Sequence, residues 1–141
     1  MIILPRDQLG TICSHSEREY PFECCGLLVG DVRGRVKRVI GSKPVRNLCL
    51  GEARRTRFKI SPLDYLETEF EARGRNLDVI GFYHSHPNRA SYPSDLDREC
   101  IWPSYSAVIV SVVDGRAERV ESWEVALNSA DLVREILKGE W

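Results

Sequence analysis

The sequence has little of what marks a secreted, membrane-bound or nucleic-acid-binding protein. The apolar run after Met1 has only three residues, which is too short for the core of a signal peptide. No stretch approaches the roughly 20 apolar residues that a membrane helix needs. The formal net charge is −1, which offers no broad basic surface to nucleic acid or to an acidic membrane. We therefore expect a cytoplasmic protein with neither of those partners.

Paired cysteines are also missing from the sequence. The five cysteines are odd in number and include no C-x-x-C pair, so neither a disulfide framework nor a cysteine-rich zinc knuckle is indicated. We expect free and mostly buried thiols, with Cys25 packed in the core. Catalysis by Cys24 or Cys25 is not favoured, because the sequence gives no cysteine–histidine pairing to support it.

The length and the hydrophobic pattern together predict the fold class. A chain of 141 residues is long enough for one domain, because it buries about two-thirds of its unfolded surface on folding. Apolar spacing predicts helices over 5–19, 61–76, 94–102 and 129–139. Hairpins are predicted over 25–42 and 105–125, and further strands over 58–60 and 77–84. The order αββ(β)αβαββα predicts an α/β fold, an α-β-α sandwich around a mixed central sheet, in a single domain of residues 1–141.

Three further expectations concern particular segments. Leu63, Leu66 and Phe70 form the apolar face of the helix predicted over 61–76. His15 is interpreted as a surface or helix-face histidine. Residues 43–57 have no clear periodicity and are predicted to form a long loop, a kind of segment that is usually functional or mobile.

Histidine is scarce, yet two of the three histidines lie one residue apart in the stretch GFYHSHPNRASYPSDLD at 81–97. Side chains two apart on a strand point to the same face, so the imidazoles of His84 and His86 can reach one ion. Asp97 supplies a carboxylate from the helix that follows. Two histidines and one aspartate leave a fourth position for water, an arrangement typical of catalytic zinc, which lowers the pKa of that water to near 7. A general base, often glutamate, then takes the proton.

Each half of this pattern has a simpler interpretation when it is taken alone. An H-x-H pair is often a chance or surface feature. Ser94-x-x-Asp97 matches a helix capping box, with Ser94 as the N-cap and Asp97 in the first turn. Both halves together, at this spacing and directly after a buried strand, favour a metal site.

The combined pattern resembles the signature of the JAMM (MPN-plus) metalloprotease family. HSHP is followed by Ser94-x-x-Asp97, and the upstream stretch YPFECCGLLVG resembles the E-x-C-G-x-L start of prokaryotic members, with Glu23 as its glutamate. Asn47 and the stretch RFKISPLDYL resemble the segment that precedes the long helix in bacterial and archaeal members. The resemblance covers about residues 5 to 125, and the chain departs from the signature at none of its five positions.

This resemblance implies a JAMM/MPN, cytidine-deaminase-like fold and a role for each motif residue. His84, His86 and Asp97 would bind one Zn²⁺ per chain. Glu23 would be the general base and then the general acid to the leaving amine, and Ser94 would hydrogen-bond the oxyanion or the water. Family members cleave the bond next to the C-terminal Gly-Gly of ubiquitin or a ubiquitin-like protein. Short prokaryotic members often act on a sulfur-carrier protein, by processing, cysteine release or deconjugation.

The basic loop is a candidate substrate-binding segment. In related enzymes, segments near this position border the groove for the extended tail of the substrate. Residues 43–57 include Arg46, Arg54, Arg55 and Arg57, of which Arg54 and Arg55 are our candidates for attracting an acidic carrier protein. The alternative is a solvated basic loop without a binding role.

Two other classes of function remain open at this point. One is a non-catalytic, zinc-stabilised module that binds a ubiquitin-like tail, although binding alone requires neither Glu23 nor Ser94. The other is a nucleic-acid protein, because zinc nucleobase deaminases share the broad sandwich. Their H-x-E…P-C-x-x-C signature is absent, and the sequence pI of about 6.3 gives no electrostatic footprint for nucleic acid.

Overall fold

The computed structural model describes residues 1–139 of the chain. Three α-helices are α1 (Arg6–Glu19), α2 (Pro62–Gly74) and α3 (Asp95–Cys100), and a 3-10 helix covers Gly51–Arg55. The strands of this part of the chain are β1 (Ile2–Leu4), β2 (Cys25–Arg33), β3 (Val36–Val45), β4 (Asp78–Pro87), β5 (Ser106–Val113), β6 (Arg116–Val125), β7 (Leu132–Glu135) and β8 (Leu137–Gly139).

All of these strands belong to one mixed sheet, in the order β7-β6-β5-β4-β2-β3-β1-β8. The hairpins β2–β3 and β5–β6 are antiparallel, whereas β4 and β5 are parallel and are joined through α3. The two edge strands are separated along the chain by Ile136 alone, so residues 132–139, the closing segment, connect the two edges. The sheet is therefore strongly curled. Lys37 Nζ on β3 accordingly lies 2.9 Å from Ser106 Oγ on β5 and 3.3 Å from Glu135 Oε1 on β7.

Strand β4 shows how the helices are placed on the two faces of the sheet. The Tyr83 hydroxyl lies 2.7 Å from Nδ1 of His15 on α1. The ring of Phe82 stacks with that of Tyr65 on α2, at a centroid distance of 6.3 Å. Because successive strand residues point to opposite faces, α1 and α2 cover opposite faces of the sheet. The predicted α-β-α sandwich with a mixed sheet is confirmed, and His84 shares the α2 face with Phe82.

The main hydrophobic core fills the space between α1 and the sheet. Leu9 and Ile12 of α1 pack into a buried cluster contributed by successive strands, which includes Leu4, Leu28, Val39, Ile80 and Val110. On the α2 face the separate buried cluster is smaller and consists of Ala107, Ile109 and Trp123. Most of the apolar burial therefore lies on the α1 face, and the α2 face has room for polar side chains.

Two glycines allow the strands around β4 to approach closely. A Cβ atom on Gly26 of β2 would lie 2.1 Å from the ring of Tyr83, its cross-strand partner. A Cβ atom on Gly81 would lie 2.4 Å from the backbone carbonyl oxygen of Ser106 on β5. A side chain at either position would force β4 away from its neighbours and displace the residues at its end.

The helix predicted over 129–139 is wrong, because this segment forms β7 and β8. Its apolar residues do have helical spacing, but a helix here would leave the backbone groups at the edges of β6 and β1 unpaired. Leu132 pairs with Val125 on β6, and Leu137 pairs with Ile2 on β1. Tertiary pairing thus overrides local spacing. Strand β1 itself is missing from the predicted order, because three residues are too few to show a period.

Four local expectations also need correction. The apolar face of α2 is exposed, with Leu63, Leu66 and Phe70 at 68%, 58% and 81% exposure, because the helix turns Thr68 and Ala72 towards the sheet. His15 is buried rather than at the surface. Residues 58–60 do not form the predicted strand, and β3 extends to Val45 within the predicted loop. No helix within residues 1–139 has the length and apolar character needed to cross a membrane.

Candidate active site

The two histidines of β4 meet the aspartate of α3 at the end of β4. His84 and His86 alternate with Ser85, so both imidazoles leave the sheet on its α2 face. Their Nε2 atoms are 3.1 Å apart. Oδ2 of Asp97 lies 3.2 Å from Nε2 of His84 and 3.0 Å from Nε2 of His86. All three side chains are buried, so the three residues that the sequence pattern selects converge on one enclosed point.

The protonation of the imidazoles follows from their other contacts. Nδ1 of His86 lies 2.7 Å from the carbonyl oxygen of Ala90, which can only accept, so Nδ1 carries the proton. When the imidazole is neutral, Nε2 of His86 and the carboxylate of Asp97 are facing acceptors, which only a shared cation, either a proton or a metal ion, can bridge. Burial lowers the pKa of His84 and favours its neutral form. Electron-pair donors that face one another in this way fit a shared cation.

Asp97 also forms two hydrogen bonds with Ser94, at the start of α3. Its Oδ2 accepts a hydrogen bond from the backbone N–H of Ser94 at 2.9 Å, and its own N–H donates to Oγ of Ser94 at 3.1 Å. The capping-box interpretation of Ser94-x-x-Asp97 is thus confirmed and coexists with the cluster. Burial would raise the pKa of Asp97, but the imidazoles of His84 and His86 and the N–H of Ser94 hold it well below its usual range. The carboxyl group is therefore ionised.

Glu23 is the second carboxylate at the cluster. It lies two residues before Cys25, which pairs with His84, and its carboxylate and the two imidazoles have atoms within 4.8 Å of one another. Oε2 accepts a hydrogen bond from Arg89 at 2.5 Å, whereas Oε1 is buried without a partner in the described residues. Burial raises the pKa of Glu23 to about 7, against the opposing effects of His86 and Arg89. A buried carboxyl group with this pKa and a free oxygen is suited to proton transfer.

Three residues contact the cluster although the sequence predicts no role for them. Nδ2 of Asn47 donates to the carbonyl oxygens of Glu23, at 3.1 Å, and Arg57, at 2.9 Å, and so ties the loop to the glutamate. The ring of Phe58 stacks on that of His84 at 4.4 Å between centroids. Asn47 and Phe58 stand within the motif stretches, which was the available signal. Arg89 belongs to no local pattern, and only the tertiary structure brings it to Glu23.

Two cavities open beside these side chains. An apolar groove of about 450 Å³ is lined by His84 and Asp97 together with aromatic side chains, namely Phe58, Tyr65, Phe82 and Trp102. A polar cavity of about 560 Å³ is lined by Glu23 together with residues of α1 and of the loop, among them His15, Glu19, Arg46, Asn47 and Arg54. The apolar groove therefore gives a substrate access to His84 and Asp97.

The candidate arginines of the loop lie in different environments. Arg54 lines the polar cavity, where its guanidinium stacks 4.1 Å above the ring of Phe22 and its Nε donates to the carbonyl oxygen of Gly51 at 3.1 Å. Arg55 is exposed and forms an ion pair with Glu52. Of the two, Arg54 is therefore the one beside Glu23, and Arg55 presents its charge to solvent.

Buried imidazoles and carboxylates around one point, with an open groove beside them, are characteristic of metal-dependent hydrolases. Residues 5–126 match the family described as prokaryotic homologs of the JAB domain. The chain belongs to this family, and it is a hydrolase of the JAMM/MPN class.

Individual relatives agree with this assignment. A desampylase from Haloferax volcanii is 34% identical over 118 residues, covering 80% of this chain and 81% of its own. A CysO-cysteine peptidase from Mycobacterium tuberculosis is 23% identical over 128 residues, covering 89% and 83%. A Lys-63-specific deubiquitinase from Xenopus tropicalis is 36% identical over 88 residues, covering 58% and 32%.

Solved structures show the same fold. A solution structure of a protein from Desulfitobacterium hafniense has a TM-score of 0.82 and 28% identity, and the match covers 99% of this chain and 94% of that one. The crystal structure of a JAB1/MPN domain protein from Archaeoglobus fulgidus has a TM-score of 0.59 and 17% identity, covering 100% and 97%. At that identity the second likeness concerns the fold alone.

Proposed function

We propose that the protein is a zinc-dependent peptidase or isopeptidase that hydrolyses the bond after the C-terminal Gly-Gly of a ubiquitin-like or sulfur-carrier protein. The observation that carries this proposal is the convergence of His84, His86 and Asp97 on one buried point with Glu23 beside it. The names of the relatives support the substrate class, because they include a desampylase, a CysO-cysteine peptidase and a deubiquitinase. We further propose that residues 1–141 form a single catalytic domain.

The side chains of the cluster fit zinc. Ligand atoms about 2.0–2.1 Å from a tetrahedral zinc ion lie about 3.3 Å from one another. The facing atoms of His84, His86 and Asp97 are 3.0–3.2 Å apart, close to that value. We assign Asp97 as the third ligand rather than Glu23, because its oxygen lies nearer to both imidazoles. The carboxylate of Glu23, with its unpartnered Oε1, remains for proton transfer.

The residues of this chain supply the rest of the chemistry. When bound, zinc would polarise the scissile carbonyl group and lower the pKa of a water molecule to near 7. Glu23 takes a proton from the attacking water and later gives a proton to the leaving amine. Arg89 holds Oε2 of Glu23, so that Oε1 keeps one orientation. The hydroxyl of Ser94 accepts from Asp97, which leaves its proton free to donate to the developing oxyanion.

The apolar groove is suited to an extended peptide tail. In residues 58–60, Lys59 bonds back to the loop, because its carbonyl oxygen accepts from Leu48 at 2.9 Å and its N–H donates to Asn47 Oδ1 at 3.2 Å. Within residues 1–139, no hydrogen bond engages the backbone groups of Phe58 or Ile60. They are therefore available to a strand added in the groove that these residues line.

A first test measures zinc content and cleavage together. The purified protein should contain about one zinc ion per chain and should cut a ubiquitin-like protein, extended beyond Gly-Gly by a short peptide, after the second glycine. Chelation should abolish cleavage, and added zinc should restore it, both read by mass spectrometry of the products. A tail-binding module would bind the same substrate and leave it intact. A folded, metal-free protein with full activity would contradict the mechanism.

The exposed loop charge provides a second test. We expect Arg55→Glu to lower kcat/KM on the whole carrier protein by about 3- to 10-fold at low salt, because surface charge acts mainly on the rate of encounter. The loss should shrink at high salt, and a short Gly-Gly-containing peptide should be cleaved at the normal rate. Arg33→Glu is the matched control, because this side chain is 88% exposed on the β2–β3 hairpin. Equal losses on carrier and peptide would exclude steering by this loop.

The proposed location of the reaction is the cytoplasm. All five cysteines are free thiols in the structure, and Cys24 and Cys25 are buried immediately beside Glu23. Such thiols persist unpaired in a reducing compartment, which supports the proposal. Burial raises the pKa of both thiols, so neither is an activated nucleophile.

A further inference from the structure

The polar cavity is a space that the proposed hydrolysis does not use. It is lined by His15 of α1 and therefore lies on the α1 face of the sheet, opposite the face that carries His84 and His86. Its volume of about 560 Å³ is within the range of small-molecule sites, about 300–1,000 Å³. The cavity is thus large enough for a ligand that the sheet separates from the cluster.

The hydrogen bond between His15 and Tyr83 determines which nitrogen of the imidazole carries the proton. Nδ1 of His15 lies 2.7 Å from the hydroxyl of Tyr83. That hydroxyl has no other hydrogen-bond partner within residues 1–139, so it donates its proton to Nδ1. Burial lowers the pKa of His15 and favours the neutral imidazole. The proton of the neutral ring is therefore on Nε2, which is a donor.

Nε2 of His15 faces the polar cavity. It has no hydrogen-bond partner within residues 1–139, yet it is not one of the two fully buried side-chain atoms without a partner, which are Oε1 of Glu23 and Nε of Arg89. Nε2 is therefore accessible, although His15 as a whole is only 6% exposed. Because His15 lines the cavity, this N–H group opens into it.

Two arginines supply further donors to the same space. Arg46 and Arg54 line the cavity, and no ion pair in the described part of the chain engages either guanidinium. The guanidinium of Arg54 stacks on Phe22, and its Nε donates to the carbonyl oxygen of Gly51, so its terminal N–H groups are held in place for a ligand. Guanidinium groups only donate hydrogen bonds, which suits an oxyanion.

The other lining residues are compatible with an anionic ligand. Of the two acidic residues, Glu19 is exposed and Glu23 is already paired with Arg89. Val45 and Leu50 give the cavity an apolar part of its wall. The lining therefore suits a small molecule with one anionic group and an apolar remainder.

The loop that carries both arginines also holds the backbone of Glu23. The N–H of Glu23 donates to the carbonyl oxygen of Arg54 at 2.7 Å, and its carbonyl oxygen accepts from Nδ2 of Asn47 at 3.1 Å. A ligand that bridges Arg54 and His15 joins this loop to α1. It therefore opposes any opening of the loop that would break the two hydrogen bonds to Glu23.

We infer that the polar cavity binds a small anionic metabolite, and that its binding secures the loop against the backbone of Glu23. The carboxylate or phosphate group of the ligand accepts hydrogen bonds from Arg46, Arg54 and Nε2 of His15. A guanidinium can contact either kind of oxyanion through two N–H groups at once. The ligand is an effector rather than a substrate, because it lies on the face of the sheet opposite the cluster.

The test titrates the zinc-loaded protein with inorganic phosphate and, separately, with benzoate, at constant ionic strength. The chain has three histidines, so the imidazole resonances can be followed one by one by NMR. We expect saturable shifts of the His15 resonances, from which Kd is obtained for each probe. Tighter binding of phosphate would assign the ligand to phosphate esters, and tighter binding of benzoate would assign it to carboxylates with an apolar body.

Two variants and a matched control assign the binding to this cavity. Arg46→Gln and Arg54→Gln should each raise Kd by about 10-fold or more, as expected for loss of a hydrogen bond to a charged group. Arg57→Gln removes an exposed arginine of the same loop that does not line the cavity, and it should keep the Kd of the unmodified protein.

Hydrogen exchange tests the connection with Glu23. With a probe at about ten times Kd, exchange of the Glu23 amide should slow by about 10-fold, because the opening that exposes this amide also releases the ligand. At the same probe concentration, Arg46→Gln should show a slowing of only about 2-fold, in proportion to its weaker binding.

The contrary outcomes are distinct from one another. Shifts at His84 and His86 without a shift at His15, with Kd unchanged in both glutamine variants, would place the anion at the cluster and overturn the inference. Absence of saturable binding of either probe would also overturn it. Binding at His15 with unchanged exchange of the Glu23 amide would overturn the connection with the loop. None of these measurements involves hydrolysis, so they hold whether or not the proposed function does.

Discussion

Replacing Glu23 by glutamine should reduce turnover by on the order of 10²–10⁴-fold, the usual range for loss of a general base. The amide has nearly the same size as the carboxylate but cannot accept the proton from water. Because Asp97 rather than Glu23 is assigned to the metal, the variant should bind zinc like the unmodified protein. The measurements are kcat on a Gly-Gly-Ala peptide and zinc content by elemental analysis.

Glu67→Gln is the matched control for this prediction. Glu67 is an exposed glutamate on α2, so the same chemical change there should leave both activity and zinc content unaltered. Near-normal turnover in Glu23→Gln would mean that another group takes the proton. Loss of zinc in Glu23→Gln would instead mean that Glu23 is a ligand, as its position within 4.8 Å of the imidazoles also permits.

Replacing His86 by alanine should abolish both zinc binding and hydrolysis. Loss of a group that merely orients a metal ligand lowers metal affinity by about 10- to 100-fold, and loss of the ligand itself lowers it further. We therefore expect the affinity of His86→Ala for zinc to fall by more than about 100-fold. Zinc should raise the melting temperature of the unmodified protein, because it binds the folded state, and should have no such effect on the variant.

The chain offers a histidine control for this experiment. His15 is also buried, but it lies on the α1 face, where its imidazole forms a hydrogen bond with the hydroxyl of Tyr83. His15→Ala should lose stability because of the cavity it leaves, yet the zinc-dependent rise in melting temperature should persist. If His86→Ala kept stoichiometric zinc, the ion would have to bind elsewhere, and the zinc assignment of His84, His86 and Asp97 would be wrong.

The sequence predicts the cluster well because its residues depend on short-range rules. The alternation of a strand puts His84 and His86 on one face, and a short connection brings Asp97 back to them at the start of α3. The separations of the facing atoms, 3.0–3.2 Å, show that this local reasoning also holds in three dimensions. Glu23 is different, because only the resemblance to a known family connects it with residues some sixty positions later.

What the sequence does not predict depends on tertiary contacts. Residues 129–139 have helical spacing, but two open strand edges determine their conformation. Arg89 reaches Glu23 only because β4 lies beside β2 in the sheet. The exposure of Leu63 and Phe70 follows from the small side chains with which α2 meets the sheet. None of these contacts leaves a periodic signal in the segment concerned.

The closing segment, residues 132–139, protects the protein against aggregation. Residues 132–135 cover the edge of β6, and residues 137–139 cover the edge of β1. If local unfolding or proteolysis detached this segment, both edges would be exposed at once as templates for strands of other molecules. The buried carboxylate of Glu135 and its partner Lys37 would enter solvent in the same event. Aggregation of this protein should therefore begin from a state in which the rest of the fold, including the cluster at the end of β4, is still intact.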